Sequence, residues 1–310
     1  MIPPPALQPG ARVALVAPAG PLPEGRVDYA AEVVASWGFE PVVGEHARKR
    51  RFYLAGSDAE RAADFNAALR DDSADALWCL RGGYGVMRIL DDIDWNALAR
   101  RPRPVIGFSD NTALHLAIRR HGIVSFHGPH AAKEMTPFSE DGLRRALTSP
   151  DPAGLLPFPD GGGRGMTING GVAEGPLVGG NLSLVAATLG TPYAIRPEGA
   201  LLFLEEVGEH AYRVDRLLSQ LRLAGVFASV AGVAIGAFND CPDEGEEAVP
   251  GIEEVLRDRL SDLGVPVAFG FPFGHVDDNW TLPVGVRARL DADAGTVEVL
   301  EAGVGPSPRA

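Results

Sequence analysis

Pro104-Val105-Ile106-Gly107-Phe108-Ser109-Asp110-Asn111-Thr112-Ala113-Leu114 runs from an apolar strand into a helix across a short turn. The apolar run ends at Gly107, and Ser109 follows two residues later. Asp110, Asn111 and Thr112 then supply N-cap and first-turn chemistry. A helix N-terminus offers unpaired N–H groups and positive dipole character. A serine at that point can attack a carbonyl while neighbouring amides hold the developing oxyanion. The ordinary alternative is a serine that only caps a helix. The position just past a buried strand favours function, because open α/β sheets bind ligands at the carboxyl ends of their strands. The match to the hydrolase elbow G-x-S-x-G is partial: Gly107 fits the first glycine and Asn111 replaces the second. An α/β-hydrolase fold therefore does not follow.

The first half of the chain alternates strand and helix signals. Arg12 to Ala17 reads as a strand ending in Ala17-Pro18-Ala19-Gly20, Glu24 to Trp37 as a helix and Phe39 to Val43 as a strand. Ser57-Asp58-Ala59-Glu60 is a capping box opening a helix to about Arg70. Asp75 to Leu80 is a buried strand, Val86 to Asp92 a short helix, Thr112 to Arg120 a helix and Ile123 to Phe126 a strand. Apolar strands alternating with helices imply a parallel sheet covered on both faces. From Ser149 to Gly175 the composition shifts to Pro and Gly, which reads as a linker or crossover hairpin. Beyond it, helices are expected over Asn181 to Gly190, Ala211 to Ala224 and Gly251 to Leu263. Strands are expected over Ala200 to Leu204, Val230 to Phe238 and Val265 to Phe269, with β segments near Val284 to Leu290 and Gly295 to Leu300. The expected division is an α/β domain over 1–150 carrying the serine, a linker over 151–175, and a β/α domain over 176–310.

The 310 residues suffice for one large or two medium domains. A net charge of −13 with no long basic run argues against nucleic acid or an anionic membrane as partner. The two cysteines, Cys79 and Cys241, are far apart and form no metal-type spacing, which fits a reducing compartment. The N-terminus lacks the regions of a signal peptide, and no apolar run reaches bilayer length. A cytoplasmic protein is expected.

Three further places can carry chemistry. Arg81-Gly82-Gly83-Tyr84-Gly85 follows a buried strand and presents backbone N–H groups without side-chain obstruction. It suits an anion or one arm of an oxyanion hole, or else is a tight turn. Arg88 stands where the last glycine of G-x-G-x-x-G would be, so a nucleotide site is weakly supported. Leu201-Leu202-Phe203-Leu204-Glu205-Glu206 ends a strand with two acids that alternation puts on opposite faces. One can reach a site while the other caps or faces solvent. Phe271-Pro272-Phe273-Gly274-His275 puts a histidine in a turn-rich loop, where a surface role is the alternative. His127-Gly128-Pro129-His130 suggests a metal pair, but Gly-Pro prevents helical presentation and no third ligand is evident. The order Ser, Glu, His points to a serine hydrolase: a hydroxyl needs a base, and the imidazole an acid that fixes its tautomer.

These segments, with Val13 to Gly20, Gly179-Gly180-Asn181-Leu182-Ser183 and Gly270 to His275, resemble the LD-carboxypeptidase family, which includes the microcin-immunity serine peptidases. Each is weak alone, whereas their ordered set across about residues 12 to 285 is specific. The resemblance implies a triad of Ser109 as nucleophile, His275 as base and acid, and Glu205 as orienting acid. It implies an oxyanion hole from the amides of Asp110 and Gly83, with Gly82 the weaker choice for the second. A carboxypeptidase site has to bind a free C-terminal carboxylate, which arginines such as Arg81 suit, and Gly82 is a further candidate substrate contact. It implies a flavodoxin-like N-terminal domain, a C-terminal β/α domain, and an active site in the cleft between them. It further implies a cytoplasmic homodimer with no cofactor and no metal. The expected substrate is a small murein peptide, from which the terminal D-alanine is released by cutting an L,D amide during cell-wall recycling. A peptide-nucleotide antibiotic, a general ester or a non-catalytic binding role are the alternatives.

Overall fold

The computed structural model describes residues 1–241 and 250–307, which divide into two units. In chain order the elements begin with β1 (Arg12–Val16), α1 (Arg26–Ser36), β2 (Glu40–Val43), α2 (Asp58–Arg70), β3 (Ala76–Cys79) and α3 (Trp95–Arg100). Next come β4 (Val105–Gly107), α4 (Thr112–Arg120), β5 (Ser125–His127) and α5 (Pro137–Thr148). Then follow β6 (Gly154–Leu155), β7 (Met166–Asn169), β8 (Val172–Asn181), α6 (Leu182–Ala187), β9 (Leu201–Val207) and α7 (Ala211–Leu223). The chain closes with β10 (Gly232–Asn239), α8 (Ile252–Leu260), β11 (Val267–Phe269), β12 (Leu282–Val284), β13 (Arg287–Asp291) and β14 (Thr296–Val299).

The first unit holds residues 1–151, 281–284 and the chain from 302. Its sheet has the order β12-β5-β4-β3-β1-β2, with β2, β1, β3, β4 and β5 parallel and β12 antiparallel. The parallel strands follow the flavodoxin-like order 2-1-3-4-5, whose connections reverse direction on either side of β1 and β3. The inner strands are short and largely apolar because both faces are covered: every residue of β3, Ala76-Leu77-Trp78-Cys79, is buried, whereas the edge strand β2 is partly exposed. The expected capping box forms, with Ser57 and Glu60 exchanging hydrogen bonds at the start of α2.

The second unit holds 152–280 and 285–301. Its sheet runs β6-β14-β13-β8-β9-β10-β11-β7. The centre, β8 to β11, is parallel, and β13, β14, β6 and β7 join antiparallel. Leu201 to Leu204 and Val233 to Ile235 form its core. The fold is thus α/β with two sheets, as expected.

Local details differ from expectation. The Pro- and Gly-rich stretch 151–175 is more than a linker: it contributes β6, β7 and the start of β8 to the second sheet. Its strands pair with β14, β11 and β13, about a hundred residues onward or more. The β segment expected near Val284 to Leu290 is split, with β12 in the first sheet and β13 in the second. Val86 to Asp92 forms two 3₁₀ turns instead of one helix. Its first N–H, on Val86, is taken by the Asp110 carboxylate. Two helices not anticipated, α3 and α5, are capped by Asp94 and Thr136.

Candidate active site

Ser109 begins a 3₁₀ turn that leads directly into α4, and its φ is +62°. A non-glycine residue in that region is strained, and such strain concentrates at functional turns. The turn lifts the serine off the end of β4 in the manner of a nucleophile elbow. A Cβ on Gly107 would lie 2.9 Å from Asn111 Nδ2. The Asn111 side chain therefore fills the space over residue 107, so glycine is required there and not at position 111.

Three neighbours brace this turn. Asn111 Nδ2 donates to Phe108 O at 3.1 Å and lies 2.9 Å from His130 Nε2. The same nitrogen of His130 accepts the Phe108 N–H at 3.4 Å, and its ring stacks on Phe108 with centroids 4.3 Å apart. His130 thus serves the turn that holds Ser109. His115 bridges Gly107 O at 2.8 Å and Ser125 Oγ at 2.9 Å, and burial pushes its imidazole down to about 4. It stays neutral, donating from Nε2 and accepting at Nδ1.

The Arg81–Gly85 loop lies against Ser109. A Cβ on Gly82 would come within 2.8 Å of Ser109 Cβ, 3.0 Å of its Oγ and 3.2 Å of Asp110 N. Only glycine permits that approach. The Gly82 carbonyl accepts from Gly20 N at 3.0 Å, on the loop after β1. Further along, the Asp110 carboxylate accepts the Val86 N–H at 2.8 Å. Burial raises the Asp110 carboxyl, opposed by that N–H and by the Arg61 charge. Arg61, wholly buried, donates to Gly85 O at 2.9 Å and also to Pro18 O and Asp58. The loop is thereby fixed from both sides. Arg81 is exposed, with Nη1 donating to Pro21 O at 2.8 Å.

In the second unit, His275 Nδ1 and Glu205 Oε2 are 2.7 Å apart. Glu205 is fully buried near the end of β9, and burial raises its carboxyl while the His275 hydrogen bond opposes the rise. The histidine loop sits on the acid because residue 274 is glycine: its φ is +109°, and a Cβ there would lie 2.6 Å from Glu205 Oε2. Asn239 Nδ2 donates to His275 O at 2.6 Å, and Asn279 Oδ1 accepts Gly274 N–H at 3.1 Å. Phe273 stacks with both Phe271 and Trp280, and Phe271 meets Trp280 at a tilt.

Glu206 does not face solvent. It is buried and accepts from Asn181 Nδ2 at 2.8 Å, Ser183 N at 2.8 Å, Ser183 Oγ at 2.6 Å and Val207 N at 2.9 Å. It closes the N-terminal turn of α6, the capping outcome of the two expected for it. The expected site residues thus form two groups: Ser109 and Asp110 with Gly82, Gly83 and Arg81 in the first unit, and Glu205 with His275 in the second. His115, His130, Asn239 and Asn279 escaped the sequence reading as supports, although His130 belongs to a motif that drew attention.

Residues 13–128 match the model of the LD-carboxypeptidase N-terminal domain, and residues 174–290 that of the LD-carboxypeptidase C-terminal domain. A putative carboxypeptidase of Streptomyces coelicolor is 44% identical over 307 residues, covering 96% of each chain. Among solved structures, a muramoyltetrapeptide carboxypeptidase from Oxalobacter formigenes is 31% identical with a TM-score of 0.84, covering 96% of this chain and 100% of that one. The microcin C7 self immunity protein MccF, in complex with aspartyl sulfamoyl adenosine, superposes with a TM-score of 0.90 at 23% identity, covering 98% of this chain and 100% of that one; that likeness concerns the fold.

Proposed function

The chain belongs to the LD-carboxypeptidase family and is a serine-type hydrolase of that family, and on this premise we propose that it removes the terminal D-alanine from murein tetrapeptide. The bond cut is the amide joining the L-centre of meso-diaminopimelate to D-alanine. The observation that carries the reading is the 2.7 Å contact between His275 Nδ1 and buried Glu205. It commits Nδ1–H to the carboxylate and leaves Nε2 as the nitrogen that exchanges protons with a hydroxyl.

In this reading Ser109 Oγ attacks the scissile carbonyl as Nε2 takes its proton. The tetrahedral oxyanion is held by the N–H groups of Asp110 and Gly83. The Gly82 carbonyl is directed at Gly20. Across a trans peptide the Gly83 N–H points the opposite way, away from Gly20. Collapse breaks the C–N bond, and the imidazolium returns its proton to the departing amine of D-alanine. Water, deprotonated by the same nitrogen, then cleaves the Ser109 ester. Because Glu205 is fully buried, its charge acts on the imidazolium without water to screen it.

Mass spectrometry of the protein incubated with meso-diaminopimelate tetrapeptide, with S109A in parallel, tests this reading. Loss of one alanine by the wild type alone is expected. No loss in either sample overturns the murein assignment and turns the search to peptide-nucleotide amides. Loss in both overturns Ser109 as nucleophile.

A further inference from the structure

We propose that a cavity of about 350 Å³ in the first unit, lined by Leu22, Pro23, Arg26, Arg81, Ala132 and Lys133, is the subsite for the free carboxylate of the residue released. The proposal rests on the carboxypeptidase reading and adds the recognition of the leaving group.

The cavity adjoins the turn that carries Ser109. Leu80, Arg81 and His130 also border the cavity. Arg81 immediately precedes Gly82, which touches Ser109, and His130 holds the backbone of Phe108, which immediately precedes Ser109. Neighbouring Cα atoms are about 3.8 Å apart, so Arg81 stands one residue beyond the glycine that approaches Ser109, and the cavity borders the elbow on two sides. In a terminal alanine the carboxylate carbon is only two bonds from the scissile nitrogen, so its binding groups have to border the nucleophile's own surroundings.

The cavity also gathers positive charge. The chain carries −13 overall, yet three cations, Arg26, Arg81 and Lys133, converge on this cavity. Arg26 is committed to Ala132 O and Glu134. Arg81 differs: only its Nη1 is engaged, by the neutral carbonyl of Pro21. Its Nε and Nη2 have no hydrogen-bond partner among the described residues, and it forms no ion pair there. A guanidinium held in place by a neutral acceptor keeps its charge and remaining N–H groups for an incoming carboxylate. The apolar walls of Leu22, Pro23, Leu80 and Ala132 suit a methyl group. Together they describe a site for a small amino acid with a free α-carboxylate.

Calorimetric titration of S109A with the tetrapeptide and with its C-terminal amide reads the subsite without turnover. The acid is expected to bind about 10- to 100-fold more tightly than the amide, as a charge-assisted hydrogen bond implies. Adding R81A or K133A is expected to collapse that ratio. Acid and amide that bind alike, or a ratio that survives both substitutions, overturn the proposal. Wild-type turnover of the tetrapeptide, followed alongside, separates the two readings. Turnover with a surviving ratio leaves the reaction standing and removes the subsite. A ratio that collapses, with no turnover, keeps the subsite and removes the reaction.

Discussion

The Asp110 carboxylate accepts the Val86 N–H at 2.8 Å, so the residue that follows Ser109 also anchors the loop that faces it. One side chain thereby sets the spacing between the two backbone segments proposed to hold the oxyanion.

Removing that carboxylate has a defined effect. D110A leaves the buried Val86 N–H without an acceptor and is expected to lower stability by about 1–3 kcal/mol. It also frees the Gly82-Gly83 segment, so kcat falls more than KM rises. D110N keeps an acceptor oxygen and sheds a buried charge, so it recovers most of both. Urea unfolding and steady-state kinetics of the two variants check this pairwise order.

Glu205 and Glu206 separate cleanly. E205Q removes the acceptor that fixes the His275 tautomer and is expected to lower kcat by about 10⁴-fold with little change in KM. E206Q places an amide nitrogen against donors from Asn181, Ser183 and Val207, and is expected to cost about 1–3 kcal/mol of stability while the folded fraction stays active. Kinetics normalised to the folded fraction distinguish the two, and equal kcat losses would contradict the assignment.

Two glycines permit close approach and tolerate no methyl group. G274A drives a Cβ into Glu205 Oε2, and G82A drives one into Ser109. A displacement near 1 Å at either point is expected to lower kcat by about 10²-fold. Assays of G82A and G274A beside a control such as G142A, where a Cβ meets nothing within 4 Å, check the expectation.

Acid stability reports on His115. In the folded state its imidazole takes a proton only near pH 4, against an ordinary value of 6.5. Between those values the unfolded chain holds more protons, so this contribution is complete above pH 6.5 and is lost as pH falls toward 4. The loss reaches about 3 kcal/mol. H115Q is expected to flatten that part of the stability–pH curve, measured by urea midpoints from pH 7 to 4.

Features set by near neighbours in the chain were legible in the sequence. The Ser57–Glu60 box and the span of α4 follow from local capping and periodicity, and Ser109 was found from a strand running into a helix. The α5 start carried its own signal, an N-cap Thr136 followed by Pro137, which went unread. Features set by distant partners were not legible. β6 and β7 lie in a Pro- and Gly-rich stretch whose pairing partners come about a hundred residues onward or more. Alternation separated Glu205 from Glu206 but could not show that both are buried, because Asn181 and Ser183, which donate to Glu206, stand more than twenty residues earlier at the junction of β8 and α6. His130 stood in a motif that invited a metal reading, whereas its partner is the backbone of Phe108.

The return of the chain to the first sheet at β12, and to the first unit again from residue 302, has a consequence for how such a protein can be divided. No single cut in the coding sequence releases either half intact. A truncation after residue 151 forfeits an edge strand, and an exchange of the second half between relatives must carry residues 281–284 and the final segment back to the recipient's own sequence. Recombination at the apparent midpoint is therefore expected to yield insoluble products, whereas grafts bounded at 152–280 and 285–301 preserve both sheets.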